Sequence, residues 1–332
     1  MILAGDIGGT HARLALFNVD KGKFQLVRSA VFPSQHYAGL ERIIAEFVGN
    51  AGIRPAQACF GIAGPVTNGR VVASNLPWIV ESALLAEELK ISQAGLINDL
   101  EATGWGIGAL SASDLVPLND RARGSDPTAQ GNQAVIAAGT GLGEGGLYWD
   151  GKRHYVFASE GGHCDFAPVD DIQIELFQYL RTRYGRVSYE RIVSGPGLVN
   201  VFEFLRDTGR AEVPDSLAEE IAKSDPAAAV STAALVGKTP IAEQALDIFV
   251  MVFGAEAGNL ALKLKATGGV FLAGGIAPKI LPKLHSSLFL EAFLAKGRLR
   301  PLMEIMPVQV ITNDQLALLG AARCAMVELP SS

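Results

Sequence analysis

Gly5-Asp6-Ile7-Gly8-Gly9-Thr10 brings together residue types that could hold a phosphate. Two adjacent glycines free the backbone from the restriction a Cβ imposes. They also let an oxyanion come close to the amide N–H groups, and Thr10 adds a hydroxyl donor. Asp6 is the odd member, because a carboxylate repels phosphate unless a divalent cation lies between them. A second cluster, Gly139-Thr140-Gly141-Leu142-Gly143, repeats the arrangement. The turns fit plain Gly-Gly hairpins equally well, and on their own chemistry the two readings stand side by side.

The elements around these turns have to position them. Ile2 to Ala4 and Ala12 to Phe17 are apolar runs flanking the first cluster, which reads as strand, glycine turn, strand, with a third strand over Phe24 to Phe32. Leu40, Ile43, Ile44, Phe47 and Val48 fall at helical spacing, closed by Gly49 and Gly52. Cys59 to Ala63 and Gly95 to Ile97 have the continuous apolar look of buried parallel strands. A short strand lies near Arg70 to Ala73, and helices run over Glu81 to Lys90 and Glu101 to Gly108. Asn98-Asp99 sits at the end of the second buried strand. The polar stretch Arg121 to Asn132 is expected to be a mobile loop.

The pattern then returns. Ala134 to Ala138, the second glycine cluster, Gly145 to Trp149 and His154 to Ala158 repeat the three-strand order around an Asp150-Gly151 turn. Helices follow over Ile172 to Tyr184 and Leu198 to Leu205, and a long, almost wholly apolar one over Pro240 to Ala266. A buried strand at Gly268 to Ala273 is followed by Gly274-Gly275-Ile276, expected to open a helix. Val308 to Thr312 is a last strand and Asp314 to Met326 a last helix. Two strand-turn-strand units at long spacing make an internal repeat.

Composition limits the options. A chain of 332 residues, 49% hydrophobic and 19% charged, has material for about two packed domains. A net charge of −6 without a basic stripe argues against nucleic acid or an anionic membrane surface as partner. Cys59, Cys164 and Cys324 are too scattered for a disulfide framework or a paired metal motif, and read as thiols in a reducing cytosol. The first residues lack a basic signal-peptide region, and Ile248 to Leu264 is short for a membrane span and contains Glu256 and Asn259. A cytoplasmic location and no membrane partner are expected.

Six segments, in order and spacing, are similar to the bacterial glucokinase family. They are Gly5 to Thr10, Asn98-Asp99, Gly139 to Gly143, Glu160-Gly161-Gly162-His163, Ser194-Gly195-Pro196-Gly197-Leu198 and Ala273-Gly274-Gly275-Ile276. The resemblance runs from Ile2 to about Met326. It differs from the repressor and open-reading-frame kinase branch, whose cysteine-rich zinc motif is replaced here by Cys164-Asp165-Phe166-Ala167-Pro168. The resemblance implies an α/β fold of the sugar kinase, Hsp70 and actin superfamily: two ribonuclease-H-like domains flanking a cleft. A small domain would comprise residues 1–109 and 312–332 and a large one 110–311, hinged near Ala109–Ser111 and Thr312.

What the resemblance implies can be placed by residue. Gly5, Asp6, Ile7, Gly8, Gly9 and Thr10 match the first phosphate loop and Gly139, Thr140 and Gly141 the second, with Gly274 and Gly275 at the adenosine. Asn98, Asp99, Glu160, His163 and Glu190 match sugar-binding positions, and Asp99 the catalytic base. Implied ligands are ATP, Mg²⁺ held by Asp6 through water, and glucose, phosphorylated at its 6-hydroxyl in the first step of glycolysis. A homodimer is also implied. The chemistry agrees: carboxylates, Asn and His suit a ring of vicinal hydroxyls, and three carboxylates favour a neutral sugar over a phosphorylated one. Blander roles exist for each residue alone: Asp99 as a helix N-cap, Glu160 and His163 as surface groups, Glu190 paired with Arg191, Gly274-Gly275 as a helix start. Another neutral hexose, or a switch that binds ATP and sugar without catalysis, are the alternatives.

Overall fold

The computed structural model describes residues 1–20, 22–52, 54–124, 126 and 129–329. The chain divides into two compact units, one of Met1–Ser113, Val156–Ala158 and Asn313–Ser332, the other of Asp114–Tyr155 and Ser159–Thr312.

The first unit opens with β1 (Ile2–Ile7), β2 (His11–Asp20) and β3 (Lys23–Pro33), an antiparallel meander. After α1 (Leu40–Ala51), β4 (Gln57–Ile62) pairs in parallel with β1. A small hairpin of β5 (Arg70–Val72) and β6 (Ile79–Glu81), then α2 (Ser82–Leu89), lead to β7 (Ala94–Asn98), parallel to β4. Helix α3 (Asp99–Ile107) follows directly. The sheet order is β3-β2-β1-β4-β7. Alternation along β1 sends Leu3 and Ile7 to one face, with Leu14, Phe60 and α1, and Ile2 and Ala4 to the other. Both faces are covered, which is why these strands read as continuous apolar runs.

The second sheet, which belongs to the second unit apart from Val156–Ala158, starts with β8 (Leu115–Pro117) and then repeats the meander with β9 (Gln133–Ala138), β10 (Leu142–Trp149) and β11 (His154–Ser159). Helices α4 (Asp171–Tyr184), α5 (Gly195–Asp207), α6 (Asp215–Lys223) and α7 (Pro226–Val236) precede the long α8 (Pro240–Leu264). β12 (Gly269–Ala273) is parallel to β9, and after α9 (Leu281–Leu284), α10 (Ser287–Leu294) and α11 (Arg300–Glu304), β13 (Val308–Ile311) is parallel to β12. The order β11-β10-β9-β12-β13 reproduces that of the first sheet, with β8 added antiparallel at the edge. Among the described residues α8 alone is long and apolar enough to cross a membrane, but 78% of its most apolar window is buried inside the protein. It is a core helix.

The chain ends on α12 (Leu316–Glu328), which returns to the first unit and packs Leu318, Ala321, Ala322 and Ala325 against Ile2, Ala4, Phe17 and Cys59.

Several sequence expectations need correction. Gly274-Gly275-Ile276 opens no helix: the chain runs through consecutive turns from 274 to 280, with Gly274 at φ +83°, before the four-residue α9. The sequence expectations omit β6, β8, α6, α7, α10 and α11. The strands are three residues long, and α7 is alanine-rich without an amphipathic pattern. The loop expected over Arg121 to Asn132 lies partly outside the described residues, and Asp120–Ala122 is a 3₁₀ turn capped by Asn119.

Helices α3 and α12 cross closely. A Cβ on Gly320 would overlap the carbonyl oxygen of Ala102, and one on Gly106 that of Leu316. Backbone atoms cannot yield as a side-chain tip does. Gly320→Ala is therefore expected to cost about 1–3 kcal/mol despite the better helix propensity of alanine, a loss that urea denaturation measures.

Candidate active site

Each unit carries half of the residues singled out by the sequence. In the first, the β1–β2 turn closes with Gly8 N–H donating to the His11 carbonyl, 2.9 Å, and Ser34 Oγ donating to the Gly8 carbonyl, 2.8 Å. The N–H groups of Gly9 and Thr10 donate to no protein acceptor among the described residues. The second unit does the same: Gly139 N–H donates to the Gly141 carbonyl, 2.9 Å, leaving Thr140 and Gly141 N–H without a protein acceptor among those residues. Paired free amides on a tight turn are what an oxyanion needs. The glycines are not there for left-handed backbone, since none of Gly8, Gly9, Gly139 or Gly141 has a positive φ. Close neighbours demand two of them: a Cβ on Gly9 would meet Asn75 Cβ at 2.6 Å and one on Gly141 would meet Glu190 Oε2 at 2.5 Å, while one on Gly139 would enter open space.

Asp6, next to last in β1, is in register with Gly61 of β4, which is in register with Ile97 of β7. Asp99 follows two residues on, and the two carboxyls interact electrostatically. Burial pushes the Asp6 carboxyl up, the Arg13 guanidinium pulls it down, and the Asp99 charge pushes it up further. A divalent cation would relieve both effects. No cluster of three or more His, Cys, Asp or Glu side chains that could hold a metal occurs among the described residues. The donor set therefore suits a cation that arrives with phosphate oxygens and takes one or two carboxylates from the protein.

Asn98, not Asp99, caps α3. Its Oδ1 accepts from Leu100 N–H, 2.8 Å, its Nδ2 donates to the Gly64 carbonyl, 3.2 Å, and Glu101 Oε2 accepts from its own N–H, 2.9 Å. With the capping box on Asn98 and Glu101, Asp99 stands at the first helical position, where its Oδ1 also accepts from Leu100 N–H, 3.0 Å.

In the second unit the other candidates gather around the β9–β10 turn. Glu190 Oε2 accepts from Leu142 N–H, 3.0 Å, and fills the space a Cβ on Gly141 would take. Glu190 is not paired with Arg191, whose guanidinium lies over the Tyr184 ring at 4.2 Å. Glu160 and His163 are exposed on either side of a single 3₁₀ turn, Gly161–His163. That segment is tied to the Glu190 loop by Tyr189 N–H donating to Cys164 O, 3.1 Å, Phe166 N–H to Val187 O, 3.0 Å, and Arg186 to the His163 carbonyl. Ile276 N–H donates to Ala138 O, 3.2 Å, where a Cβ on Gly274 would also clash, so Gly274 and Gly275 adjoin the end of β9.

A buried polar cluster beneath this site escaped the sequence reading. Glu144 on β10 and Glu256 on α8 are 1% and 0% exposed. Asn259 Nδ2 donates to Glu256 Oε2, 2.8 Å, and to Tyr189 Oη, 3.0 Å. Lys296 Nζ donates to Asn259 Oδ1, 2.8 Å, and to the Ala255 carbonyl, 2.9 Å. The visible signal was a carboxylate within an apolar helix.

The fold is that of solved sugar kinases. A crystal structure of glucokinase from an Antarctic psychrotroph is 31% identical, with TM-score 0.84 over 98% of each chain. One from Balamuthia mandrillaris, in complex with glucose, shares the fold at 24% identity, TM-score 0.78, covering 98% of this chain and 93% of that one. In sequence, a glucokinase of Nostoc sp. is 42% identical over 341 residues, 98% of each chain. The sequence profile of the glucokinase family matches residues 3–328, and the chain belongs to that family.

Because Asn98 is a cap, Asn98→Ala is expected to destabilise the folded protein by about 0.5–2 kcal/mol in the absence of any sugar, as read by chemical denaturation.

Proposed function

We propose that the chain is a glucokinase that transfers the γ-phosphoryl group of ATP to the 6-hydroxyl of D-glucose. Membership of the family over nearly the whole chain carries this reading. The repeated turn, with free N–H pairs in both units, supports it. In this reading the two sheets are ribonuclease-H-like domains flanking a cleft, as in the sugar kinase, Hsp70 and actin superfamily. The chain works in the cytoplasm as a homodimer.

The residues then take these roles. Gly5 to Thr10 and Gly139 to Gly141 hold the phosphates through backbone N–H groups, and Gly274-Gly275 borders the adenosine. Asn98, Asp99, Glu160, His163 and Glu190 bind the sugar hydroxyls. Asp99 accepts the proton of the 6-hydroxyl at a carboxylate oxygen as that hydroxyl attacks in line. Asp6 would hold Mg²⁺ through water, and the chemistry that ion would supply when bound is compensation of phosphate charge. Phosphoryl transfer through a loose transition state asks the protein mainly for positioning and charge compensation. Closure of the domains about Ala109–Ser111 and Thr312 excludes water as a competing acceptor.

Asp99→Ala should lower kcat by about 10²–10⁴-fold while sugar binding and folding persist, a general base being worth that much. A coupled ADP-release assay over a panel of neutral sugars checks both the mutant and the choice of glucose. Turnover on fructose, mannose or N-acetylglucosamine in preference to glucose would replace the substrate. Small-angle scattering should show a smaller radius of gyration with glucose; superposable profiles would remove closure from the account.

A further inference from the structure

The Glu144–Glu256 cluster is used by no step above, yet it lies directly under the segment assigned to the sugar. A Cβ on Gly161 would overlap Glu144 Oε2, and one on Gly162 would overlap the Leu142 carbonyl, so this segment rests on β10 with no side chain between. Ser159 Oγ donates to the Glu144 carbonyl, 3.1 Å, and accepts from Gly161 N–H, 3.2 Å. Glu160 and His163 flank that contact. On the other side Tyr189, next to Glu190, is bonded to Asn259, which is bonded to Glu256. The cluster therefore touches both arms that carry the sugar-binding candidates.

Its charges do not cancel as drawn. Glu144 Oε1 and Glu256 Oε1 are buried without a hydrogen-bond partner. Of the cations packed nearby, Lys263 Nζ stands 3.6 Å from Glu256 Oε1 and is half-exposed, and Lys296 is committed to Ala255 and Asn259. Two ionised carboxylates side by side at this depth would repel each other and lack donors. A proton held between them supplies the missing hydrogen bond. Burial, and then the Glu256 charge, push the Glu144 carboxyl up to about 8, against the pull of Lys263.

We propose that Glu144 is a positioning residue for sugar binding: its protonated carboxyl, paired with Glu256, is the floor on which the Glu160–His163 segment sits. The assignment rests on the glucokinase reading of that segment. Ionisation of Glu144 beside Glu256 leaves a buried like-charge pair whose relief is displacement of Glu144 toward Gly161. That movement shifts Glu160 and His163 off the sugar without touching Asp99. The binding-competent fraction then falls about tenfold for each pH unit above the transition, and the apparent dissociation constant rises by the same factor.

The linkage has a definite sign. Between its ordinary 4.5 and about 8, Glu144 keeps in the folded chain a proton that the unfolded chain releases. The folded state is favoured on the acid side and loses stability as pH rises through that window.

Calorimetric titration of the wild-type protein with glucose from about pH 6 to about pH 9.5 should give a flat affinity up to about 8 and a roughly tenfold loss per unit above it. Over the same range kcat at saturating glucose should hold. Glu144→Gln keeps the shape and a hydrogen-bond donor but cannot ionise, and its affinity should stay flat. Glu256→Gln removes the like-charge partner, so an ionised Glu144 is no longer driven toward Gly161 and the affinity should lose its steep fall above about 8. Equal pH dependence in wild type and Glu144→Gln, or no dependence in the wild type, overturns the assignment. Thermal unfolding of the same proteins across pH separates this from the parent reading. Were glucose not to bind at any pH, the glucokinase reading would fall. A wild-type melting temperature that declines with pH more steeply than that of Glu144→Gln would still uphold the acid pair, and parallel curves would sink it.

Discussion

The register of three parallel strands is the constraint on which the candidate residues of the first unit depend. Asp6, Gly61 and Ile97 lie side by side because β1, β4 and β7 are locked by their hydrogen-bond ladders. That ladder brings the Asp6 carboxyl within electrostatic reach of Asp99, an arrangement two like charges would not adopt unaided. A slip of one residue would send every side chain of a strand to the opposite face and destroy both the core and the pair. The apolar faces of β1, with Leu3 and Ile7 on one side and Ile2 and Ala4 on the other, make such a slip costly. Core packing thus holds two acids in a position that suits a cation-bound phosphate.

The candidate residues of the second unit follow a different logic. Its central strand ends in the same glycine turn, but contacts between loops organise the surrounding groups. Glu190 is fastened to Leu142 N–H, the first residue beyond the turn, so a side chain assigned to the sugar is anchored to a loop assigned to phosphate. Pro196 and Ser194 start α5 just behind it, Ser194 Oγ accepting from Gly197 N–H at 3.0 Å and donating to the Glu190 carbonyl at 2.7 Å. One capping serine therefore secures both a helix and the backbone of Glu190.

Much of this was legible in the sequence where period and punctuation agreed. The apolar runs Cys59 to Ala63 and Gly269 to Ala273, bounded by glycine, are buried parallel strands, and the repeated meander appears as the same strand order in both sheets. Short or compositionally flat elements were not legible: three-residue β6 and β8 have too few positions to show alternation, and α7 has no apolar stripe. The blander reading of Asp99 as the cap of α3 gives way to Asn98, since both residue types are good caps and only the backbone decides between them. The reason for the glycines was also not in the sequence. Gly141 and Gly161 make room for Glu190 and Glu144, partners 49 and 17 positions away along the chain.

The first unit is discontinuous, and α12 covers one face of its sheet after the whole of Asp114–Tyr155 and Ser159–Thr312 has been inserted in the chain. On a ribosome adding about 5–20 residues per second, the sheet that carries Asp6 waits roughly 10–40 s for the helix that seals it. During that interval Ile2, Ala4, Phe17 and Cys59 lack the cover of α12, and the inserted unit completes its own sheet only when β12 and β13 emerge shortly before that helix. The order of synthesis thus makes the unsealed amino-terminal sheet an aggregation-sensitive stage in the birth of this protein.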